Sequence, residues 1–454
     1  MRLALELAAA RAAGRLSRLA GRGGGTTLPG KLLATVDPGA VSLLAERLPL
    51  GTAIVSATNG KTTTAALAAG IISPRVQLAH NSSGANLVSG VASALLSARD
   101  AELGLFEVDE GALPDVAGRI RPRAVCLGNL FRDQLDRYGE LERVAERWRS
   151  AVQKLPAGST LVVNADDPLV GDLASEHGSS VSFGLDDPAQ ARPSLQHAAD
   201  SKYCLRCGTP YVYAAAYVGH LGDYRCPACD HGRPALQLAA QRVELVGLEG
   251  VSFDLVAPEG TRRIRLGLPG LYNVYNALAA AALARALGAG LEEIEAGLAG
   301  ARPAFGRFER IAVDDRRLLL LLIKNPAGAN EIVRTLLGGG APTHVVIALN
   351  DAVADGRDVS WIWDVDFEPL FEHLDRLVVS GDRAAELALR CKYGGMPEDS
   401  IEVVPELDRA LDRGLALTSA GGELAVLATY TAMLALRKVV AGRGHVPQYW
   451  ERAA

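Results

Sequence analysis

The feature that most constrains the fold is a set of short segments that are apolar along nearly their whole length. Four of them follow one another within the first 165 residues, and they are TAIVSA (52–57), ELGLFEV (102–108), RAVCLGNL (123–130) and TLVVNA (160–165). Segments without polar alternation are typical of strands buried on both faces of a parallel sheet. Helix-favouring stretches separate them, so the pattern predicts an α/β fold.

A second set of apolar segments follows a helical stretch at 273–300 and the connection GARPAFGRFER (300–310), where Gly and Pro indicate a hinge. The predicted strands of this set lie near 344–349, 376–380, 401–404 and 423–428. A chain of 454 residues is long enough for more than one domain. The predicted domains are an N-terminal helical segment (1–45), a central domain (46–300) and a C-terminal α/β domain (301–454).

The charge and the N-terminus argue against two classes of protein. A formal net charge of −5 provides no general attraction for nucleic acid. The alanine-rich N-terminus is interrupted by Glu6 and Arg11, which favours an amphipathic helix of the mature protein over a signal peptide. No segment reaches the roughly 18 uninterrupted apolar residues of a membrane-spanning helix.

Four of the six cysteines form two C-x₂-C pairs, Cys204 with Cys207 and Cys226 with Cys229, separated by 18 residues. This spacing is typical of a zinc ribbon, in which four thiolates surround one ion tetrahedrally. Four protein ligands leave no open position, so we predict a structural Zn²⁺ in a Cys₄ ribbon inserted at 200–235. Four free thiols or a redox pair are the alternative.

The ribbon also raises the question of nucleic acid, which many zinc ribbons bind. Its cationic residues exceed its acidic ones only slightly, so we predict that it binds no nucleic acid. Because the cysteines already fill the metal site, we expect His220 and His231 to be surface residues rather than ligands.

The segment VSATNGKTTTAALAAG (55–70) predicts a strand, a tight turn and a helix. Backbone N–H groups at such a turn converge on a phosphate, with Gly60 allowing close approach, Lys61 supplying charge and Thr62 a hydroxyl for Mg²⁺. A standard P-loop has glycine at the position of Val55, so a simple turn with a solvated lysine is the alternative. The predicted nucleotide-binding residues of the turn are Thr58, Asn59, Gly60, Lys61, Thr62 and Thr63.

The segment ATNGKTTT (57–64) resembles the ATP loop of the Mur ligases, which usually reads GTNGKTT. Five further segments resemble that family in its order, and they are FEVDEG (106–111), NLFRDQLDRYG (129–139), NADDP (164–168), LPGLYNVYNALAA (268–280) and GRFE (306–309). Mur ligases activate a carboxylate with ATP as an acyl phosphate, which an amine then attacks. The resemblance implies a Mur ligase-like central P-loop domain, a C-terminal Rossmann-like domain, and the use of ATP and Mg²⁺.

The same resemblance implies roles for individual residues. Lys61 would contact the β- and γ-phosphates and Thr62 one Mg²⁺, while Glu107 would help to hold a second Mg²⁺. Asn273 and Asn276 would lie near the adenine. From the residues alone, the alternative for Glu107 is a strand-end partner in a salt bridge, and the alternative for the two asparagines is helix N-capping.

Two departures from the family pattern bear on the reaction. Segment 133–138 lacks the histidines of the DH-x-D-x-H motif, and RVAERWRSA (143–151) contains no lysine that could be carbamylated. Both departures argue against a member that adds an amino acid to its substrate.

The Cys₄ insert, DGRDVSWIWDVDFE (355–368) and TYTAML (429–434) together resemble one branch of the family, the ligase subunits of lipid II isoglutaminyl synthases. In that branch a GatD-like glutamine amidotransferase supplies ammonia. The ammonia converts the α-carboxylate of D-glutamate in the lipid II stem peptide to D-isoglutamine. The resemblance therefore implies a heterodimer with such a subunit and a place in the cytoplasm, at the inner face of the membrane.

The remaining cysteines and the acidic loop are consistent with a separate subunit that hydrolyses glutamine. Glutamine hydrolysis needs an activated cysteine with a histidine partner, but Cys126 lies in an apolar strand and Cys391 follows a helix-like stretch. In the acidic loop, Asp351, Asp355 and Asp358 are candidates, and a hydrated loop is the alternative. We predict that Asp355 faces the partner and orients its catalytic histidine.

Two other functions remain open from the sequence. One is another Mur-type ligase, similar to folylpolyglutamate synthetase, that adds an amino acid. The other is a zinc-ribbon nucleotide-binding protein that binds nucleic acid and has no ligase activity. For the preferred function, the predicted catalytic residues are Lys61, Glu107 and Asp355.

Overall fold

The computed structural model describes residues 27–81, 84–133, 140–196, 199–301 and 308–447. Its strands are β1 (Thr52–Ser56), β2 (Leu78–His80), β3 (Leu103–Glu107), β4 (Ala124–Leu127), β5 (Thr160–Asn164), β6 (Ser180–Leu185), β7 (Val212–Val218), β8 (Leu221–Arg225), β9 (Leu238–Val246), β10 (Gly250–Ala257), β11 (Gly260–Leu266), β12 (Phe308–Val313), β13 (Arg316–Leu322), β14 (His344–Ala348), β15 (Arg376–Ser380), β16 (Ile401–Val403) and β17 (Glu423–Ala428).

The helices are α1 (Leu28–Val36), α2 (Ala40–Ala45), α3 (Lys61–Ile72), α4 (Val88–Ser97), α5 (Leu113–Ile120), α6 (Leu141–Val152), α7 (Pro168–Gly171), α8 (Leu271–Ala286), α9 (Leu291–Ala299), α10 (Pro326–Gly338), α11 (Glu368–Phe371), α12 (Ala384–Tyr393), α13 (Leu407–Leu417) and α14 (Tyr430–Gly442). In the described part of the chain, none of them combines the length and apolar character that crossing a membrane requires.

The central sheet has nine strands in the order β11-β10-β9-β6-β5-β4-β1-β3-β2. All neighbours from β2 to β9 are parallel, and β9, β10 and β11 finish the sheet as antiparallel strands. Every residue of β1, β3 and β4 is buried, as expected for parallel strands covered by helices on both faces. The four apolar segments predicted as buried strands are confirmed.

The second sheet has the order β12-β13-β17-β14-β15-β16, with only β12 and β13 antiparallel. The predicted strands of this region are confirmed, although β14 ends at Ala348 and β16 at Val403, each one residue early. The predicted helix at 273–300 is two helices, α8 and α9, because the chain turns at Gly288, where φ is +92°. Of the predicted hinge, residues 302–307 lie outside the described residues.

The predicted N-terminal segment is helical where the structure describes it, in α1 and α2, while residues 1–26 lie outside the described residues. Helix α1 packs closely on α4, with the Gly30 amide donating to Ser93 Oγ at 2.9 Å. A Cβ at Gly30 would lie 1.9 Å from the Ser89 carbonyl oxygen, so this contact requires glycine. The predicted domain boundaries at residues 45 and 300 remain a proposal.

Candidate active site

The phosphate-binding turn predicted from the sequence lies between β1 and α3, at Thr58–Gly60. Gly60 is left-handed, with φ +88°, and a Cβ there would lie 2.0 Å from Asn276 Oδ1. Only glycine fits both the backbone and the space. Three parts of the chain therefore meet at this turn: β1, the start of α3, and α8.

Asn129 determines the shape of the turn, a role that the sequence did not reveal. Its Oδ1 accepts a hydrogen bond from the Asn59 amide at 2.9 Å, and its Nδ2 donates to the Asn59 carbonyl at 3.0 Å. The Phe131 amide donates to Thr58 Oγ1 at 3.1 Å. The only signal in the sequence was the position of Asn129 at the start of the motif NLFRDQLDRYG, whose residues 134–139 lie outside the described residues.

Lys61 is 7% exposed, so the alternative of a turn with a solvated lysine is wrong. Its Nζ donates to the carbonyls of Ala57 and Thr58 and to Glu110 Oε2, the last at 2.8 Å. Burial favours the neutral amine, but the nearby carboxylates, Glu110 above all, outweigh it and raise the pKa of Lys61 above its ordinary value. The lysine is a fixed positive charge at the base of the phosphate turn.

Three acidic side chains, Glu107, Asp109 and Glu110, are buried beside Lys61. Glu107, the predicted metal ligand, ends β3, and its backbone pairs with the Asn81 side chain at 2.8 and 2.9 Å. The ion pair with Lys61 belongs instead to Glu110, which the sequence analysis missed. Burial opposes the charge of Glu110, but two lysines, Lys61 first, hold its pKa below the ordinary value.

The donor set at the turn fits Mg²⁺. Carboxylate and hydroxyl oxygens are its preferred protein ligands, and the site offers the buried acids at the end of β3 together with Thr62 in the first turn of α3. The side chain of Thr62 is partly exposed, next to the buried Lys61.

Residues that follow β13 approach the phosphate turn from the C-terminal sheet. Lys324 Nζ lies 2.5 Å from Asp133 Oδ2 and 3.2 Å from the Thr58 carbonyl. Asn325 and Asn59 exchange two side-chain hydrogen bonds at 3.0 and 3.2 Å. Burial raises the pKa of Asp133 even though Lys324 opposes this. The C-terminal sheet thus supplies a second cation to the turn.

A cleft opens beside the turn, between α8, α10 and the tip of the β7–β8 hairpin. Asn273 and Asn276 line it, and they lie inside α8 rather than at its N-cap, so the alternative of helix capping is wrong. Asn273 donates to the Pro269 carbonyl at 2.7 Å and accepts from Asn276 Nδ2 at 2.9 Å. These bonds fix both amides at the wall of the cleft.

The four predicted zinc ligands come together, because every pair of their sulfur atoms lies within 4.8 Å. The closest sulfur pairs are separated by 3.4 Å (Cys207 and Cys226) and 3.6 Å (Cys204 and Cys229). Tetrahedral Zn–S bonds of about 2.3 Å place sulfurs roughly 3.8 Å apart, so the cluster has the dimensions of a Cys₄ zinc site. The amides of Arg206 and Ala228 donate to Cys204 and Cys226 Sγ, as in zinc knuckles.

The expectation that His220 and His231 are surface residues is wrong, because they are 0% and 4% exposed. His231 Nε2 lies 3.1 Å from Asp172 Oδ1, and His220 Nε2 lies 3.4 Å from Asp167 Oδ2. His231 thus bonds the ribbon to the segment that follows β5, and His220 packs against the same segment. The exposure of the two histidines was predicted wrongly because the composition of the ribbon does not show that it packs against this segment.

Asp355 lies in the loop after β14, and its carboxylate is held by Thr431. The Thr431 amide donates to Oδ1 at 2.8 Å and its hydroxyl to Oδ2 at 2.5 Å, while burial raises the pKa of Asp355. Asp351 instead pairs with Arg383, and Asp358 accepts from the Ser360 amide. Asp355 is 4% exposed and is not among the residues that line the cleft, so its predicted contact with a partner stays a prediction.

The two cysteines outside the cluster are buried, as their sequence context indicated. Burial raises the pKa of Cys391 to about 12 and that of Cys126 still further. A thiol nucleophile needs a lowered pKa and access to substrate, and these two thiols have neither.

Two family models match the chain. The Mur ligase middle domain matches residues 55–211, and the MurT ligase C-terminal model matches residues 322–433. The second match covers β14 to β17 together with the loop that contains Asp355.

The chain is similar along almost its whole length to the MurT subunit of the glutamine-hydrolyzing lipid II isoglutaminyl synthase of Streptococcus pneumoniae. The two are 34% identical over 435 residues, 94% of each chain. The corresponding subunit of Staphylococcus aureus is 33% identical over 88% of this chain and 89% of its own. A pseudomurein peptide ligase from Methanothermus fervidus shares the fold, with a TM-score of 0.71, 20% identity, and coverage of 88% and 80% of the two chains.

Proposed function

The chain belongs to the MurT family of Mur ligase-like proteins, and from this membership we propose that it is the ligase subunit of a lipid II isoglutaminyl synthase. It would convert the α-carboxylate of D-glutamate in the lipid II stem peptide to the carboxamide of D-isoglutamine, at the expense of ATP. Zn²⁺ would be structural, in the Cys₄ ribbon.

Within the structure, the observation that supports ATP-dependent activation of a carboxylate is the position of Lys61. The ammonium group is buried at the base of a glycine turn, between the acids at the end of β3 and the Lys324 side chain from the C-terminal sheet. Phosphoryl transfer needs little besides positioning and charge neutralisation, and this arrangement provides both at one point. A cleft for the rest of the nucleotide opens next to it.

The first step joins the substrate carboxylate to the γ-phosphoryl group. A carboxylate oxygen forms the new bond to phosphorus as the bond to the β–γ bridging oxygen breaks, so ADP leaves and an acyl phosphate remains. Lys61, which donates to two carbonyls and Glu110 in this structure, would turn to the phosphate oxygens as negative charge develops there. Thr62 and Glu107 would hold Mg²⁺, which would neutralise part of the same charge when bound.

In the second step ammonia attacks the acyl carbon. The C–N bond forms, the bond to the phosphate oxygen breaks, and the nitrogen loses a proton as inorganic phosphate departs. The buried thiols of Cys126 and Cys391 are unsuited to releasing ammonia from glutamine. A glutamine amidotransferase subunit of the GatD type would supply it, and Asp355 would orient the catalytic histidine of that subunit.

The decisive experiment incubates the purified chain with lipid II, ATP, Mg²⁺ and a high concentration of ammonium salt, without any partner. The mass of lipid II reports the product. Replacement of one hydroxyl by an amino group, with release of ADP, is the expected result. Addition of a whole amino acid when amino acids are supplied would favour a ligase similar to folylpolyglutamate synthetase.

A second arm adds the amidotransferase subunit and glutamine in place of ammonium. Amidation in this arm alone would mean that the ligase centre requires its partner. No amidation in either arm would contradict the proposal. Salt-dependent affinity for DNA or RNA, measured in parallel, would support the nucleic-acid-binding alternative instead.

A further inference from the structure

The cleft contains one buried carboxylate that the proposed reaction does not use. Glu331, in α10, lines the cleft and is 2% exposed. Its Oε1 accepts from Arg192 Nη2 at 2.7 Å, whereas its Oε2 has no hydrogen-bond donor in the parts of the chain that the structure describes. Buried polar atoms almost always have a partner, so an unsatisfied oxygen in a ligand cleft points to a donor on the ligand.

Arg192 holds one oxygen of the carboxylate, and Arg334 joins the same helix to the hairpin. Arg192 is fixed to the ribbon hairpin, because its amide donates to the Ala216 carbonyl at 2.7 Å and its Nε to the Tyr217 carbonyl at 3.2 Å. Arg334, one helical turn after Glu331, also donates to the Tyr217 carbonyl, at 3.1 Å. Since α10 and the hairpin are joined in this way, Glu331 cannot easily turn its free oxygen toward another partner.

The cleft that Glu331 lines also has apolar and aromatic walls, formed by Val218 and Leu221 from the hairpin tip, Tyr272 from α8 and Ile332 from α10. Apolar and aromatic walls with a small number of fixed polar groups, here Glu331, Asn273 and Asn276, are typical of a small-molecule site. The phosphate turn forms the other end of the same cleft. A nucleotide bound with its phosphates at Lys61 would therefore extend its base toward these walls.

We propose that Glu331 selects adenine by accepting a hydrogen bond from its exocyclic amino group. This inference rests on the proposed use of ATP and adds the residue that recognises the base. Adenine presents a donor at this position, whereas guanine and hypoxanthine present a carbonyl oxygen. A carboxylate oxygen attracts the amino group of adenine and repels the carbonyl oxygen of guanine or hypoxanthine. The site would therefore both favour adenine and disfavour the other two bases.

The test measures the dissociation constants of the full-length chain for ATP and for inosine triphosphate, with Mg²⁺, by calorimetry. Inosine triphosphate keeps the sugar and phosphates and replaces the amino group by a carbonyl. The wild-type chain should bind ATP roughly tenfold more tightly or better, as expected for a hydrogen bond to a charged group. Glu331→Gln should bring the ratio close to one, because an amide can offer either an acceptor or a donor.

Two controls separate base recognition from loss of structure. Glu372→Gln changes an exposed glutamate at the end of α11, outside the cleft lining, and should keep the wild-type ratio. Inorganic tripolyphosphate, which has no base, should bind equally well to the wild type and to Glu331→Gln, since Lys61 is unchanged.

Equal affinity of the wild type for ATP and inosine triphosphate, or an unchanged ratio in Glu331→Gln, would overturn the inference while leaving the proposed function intact. So would a wild-type preference for ATP over 2′-deoxy- or 3′-deoxy-ATP that Glu331→Gln abolishes, because the free oxygen would then contact the ribose. Failure of the wild type to bind any nucleotide would contradict the proposed function itself, and this inference with it.

Discussion

The Nζ of Lys61 lies 2.8 Å from Oε2 of Glu110, and both side chains are buried. The pair joins the first residue of α3 to the loop after β3, three residues beyond the predicted metal ligand Glu107. Glu110 therefore holds the lysine in place and competes with a phosphate for its charge.

Replacing Lys61 by alanine removes the fixed charge at the base of the turn. We expect ammonium-dependent amidation of lipid II to fall on the order of 10²–10³-fold or more, because a group of this kind stabilises charge that develops in the transition state. Release of ADP and the mass of lipid II measure the effect. Lys154→Ala, at an exposed lysine, is the matched control and should have wild-type activity. Wild-type turnover in Lys61→Ala would remove the phosphate assignment.

Glu110→Gln leaves the buried lysine without its ionic partner. We expect unfolding in urea at pH 7 to require about 3 kcal/mol less free energy than in the wild type. The pKa of Glu110 is lowered and that of Lys61 raised, so the pair contributes fully between their ordinary values, 4.5 and 10.5.

The difference between the wild type and Glu110→Gln should therefore be constant from about pH 5 to pH 9. It should shrink as the pH falls through the lowered pKa of Glu110. Glu398→Gln breaks an exposed ion pair with Lys392 and should leave the urea midpoint unchanged. Equal stability of Glu110→Gln and the wild type would mean that the ion pair does not form in solution.

Asp355→Asn should have different effects on the reaction with glutamine and on the reaction with ammonium. In the complex with the amidotransferase subunit, we expect loss of glutamine hydrolysis with little change in ammonium-dependent amidation, because Asp355 lies outside the cleft. The side-chain oxygen of asparagine can still accept from the Thr431 amide. Because burial raises the pKa of Asp355 above 3.8, glutaminase activity should fall with acid at a higher pH than an exposed aspartate would cause.

Asp358→Asn, in the same loop, is the control and should keep both activities. Unchanged glutamine hydrolysis in Asp355→Asn, or equal loss of both activities, would contradict the orienting role.

Removing the ribbon metal should weaken nucleotide binding. The cysteine cluster and the tip of the same hairpin are parts of one small unit, and Val218 and Leu221 at the tip line the cleft. If the cluster holds zinc as we propose, Cys207→Ser should lose it and bind ATP several-fold more weakly, whereas Cys391→Ala, outside the cluster, should have the zinc content of the wild type. Zinc content by mass spectrometry and ATP affinity by calorimetry are the measurements. Full ATP affinity in a zinc-free chain would show that the tip keeps its position without the metal.

Several features were determined by the sequence alone. Segments that are apolar at nearly every position can only be buried on both faces, so the parallel strands followed from composition and order. Local spacing was also enough to predict the glycine turn before Lys61, whose residues are neighbours in the chain. It was enough to predict the cluster of four cysteines as well, because they lie on two short C-x₂-C segments.

Only the tertiary structure decided which residues meet across long separations. Lys324 reaches Asp133 across 191 positions, and Arg192 reaches Glu331 across 139, contacts that no local pattern encodes. The choice of Glu110 over Glu107 as the partner of Lys61 depends on how the chain turns after β3. The burial of His220 depends on where the ribbon packs. Periodicity and spacing describe neighbours along the chain, whereas a site is made by the packing of elements that are distant in it.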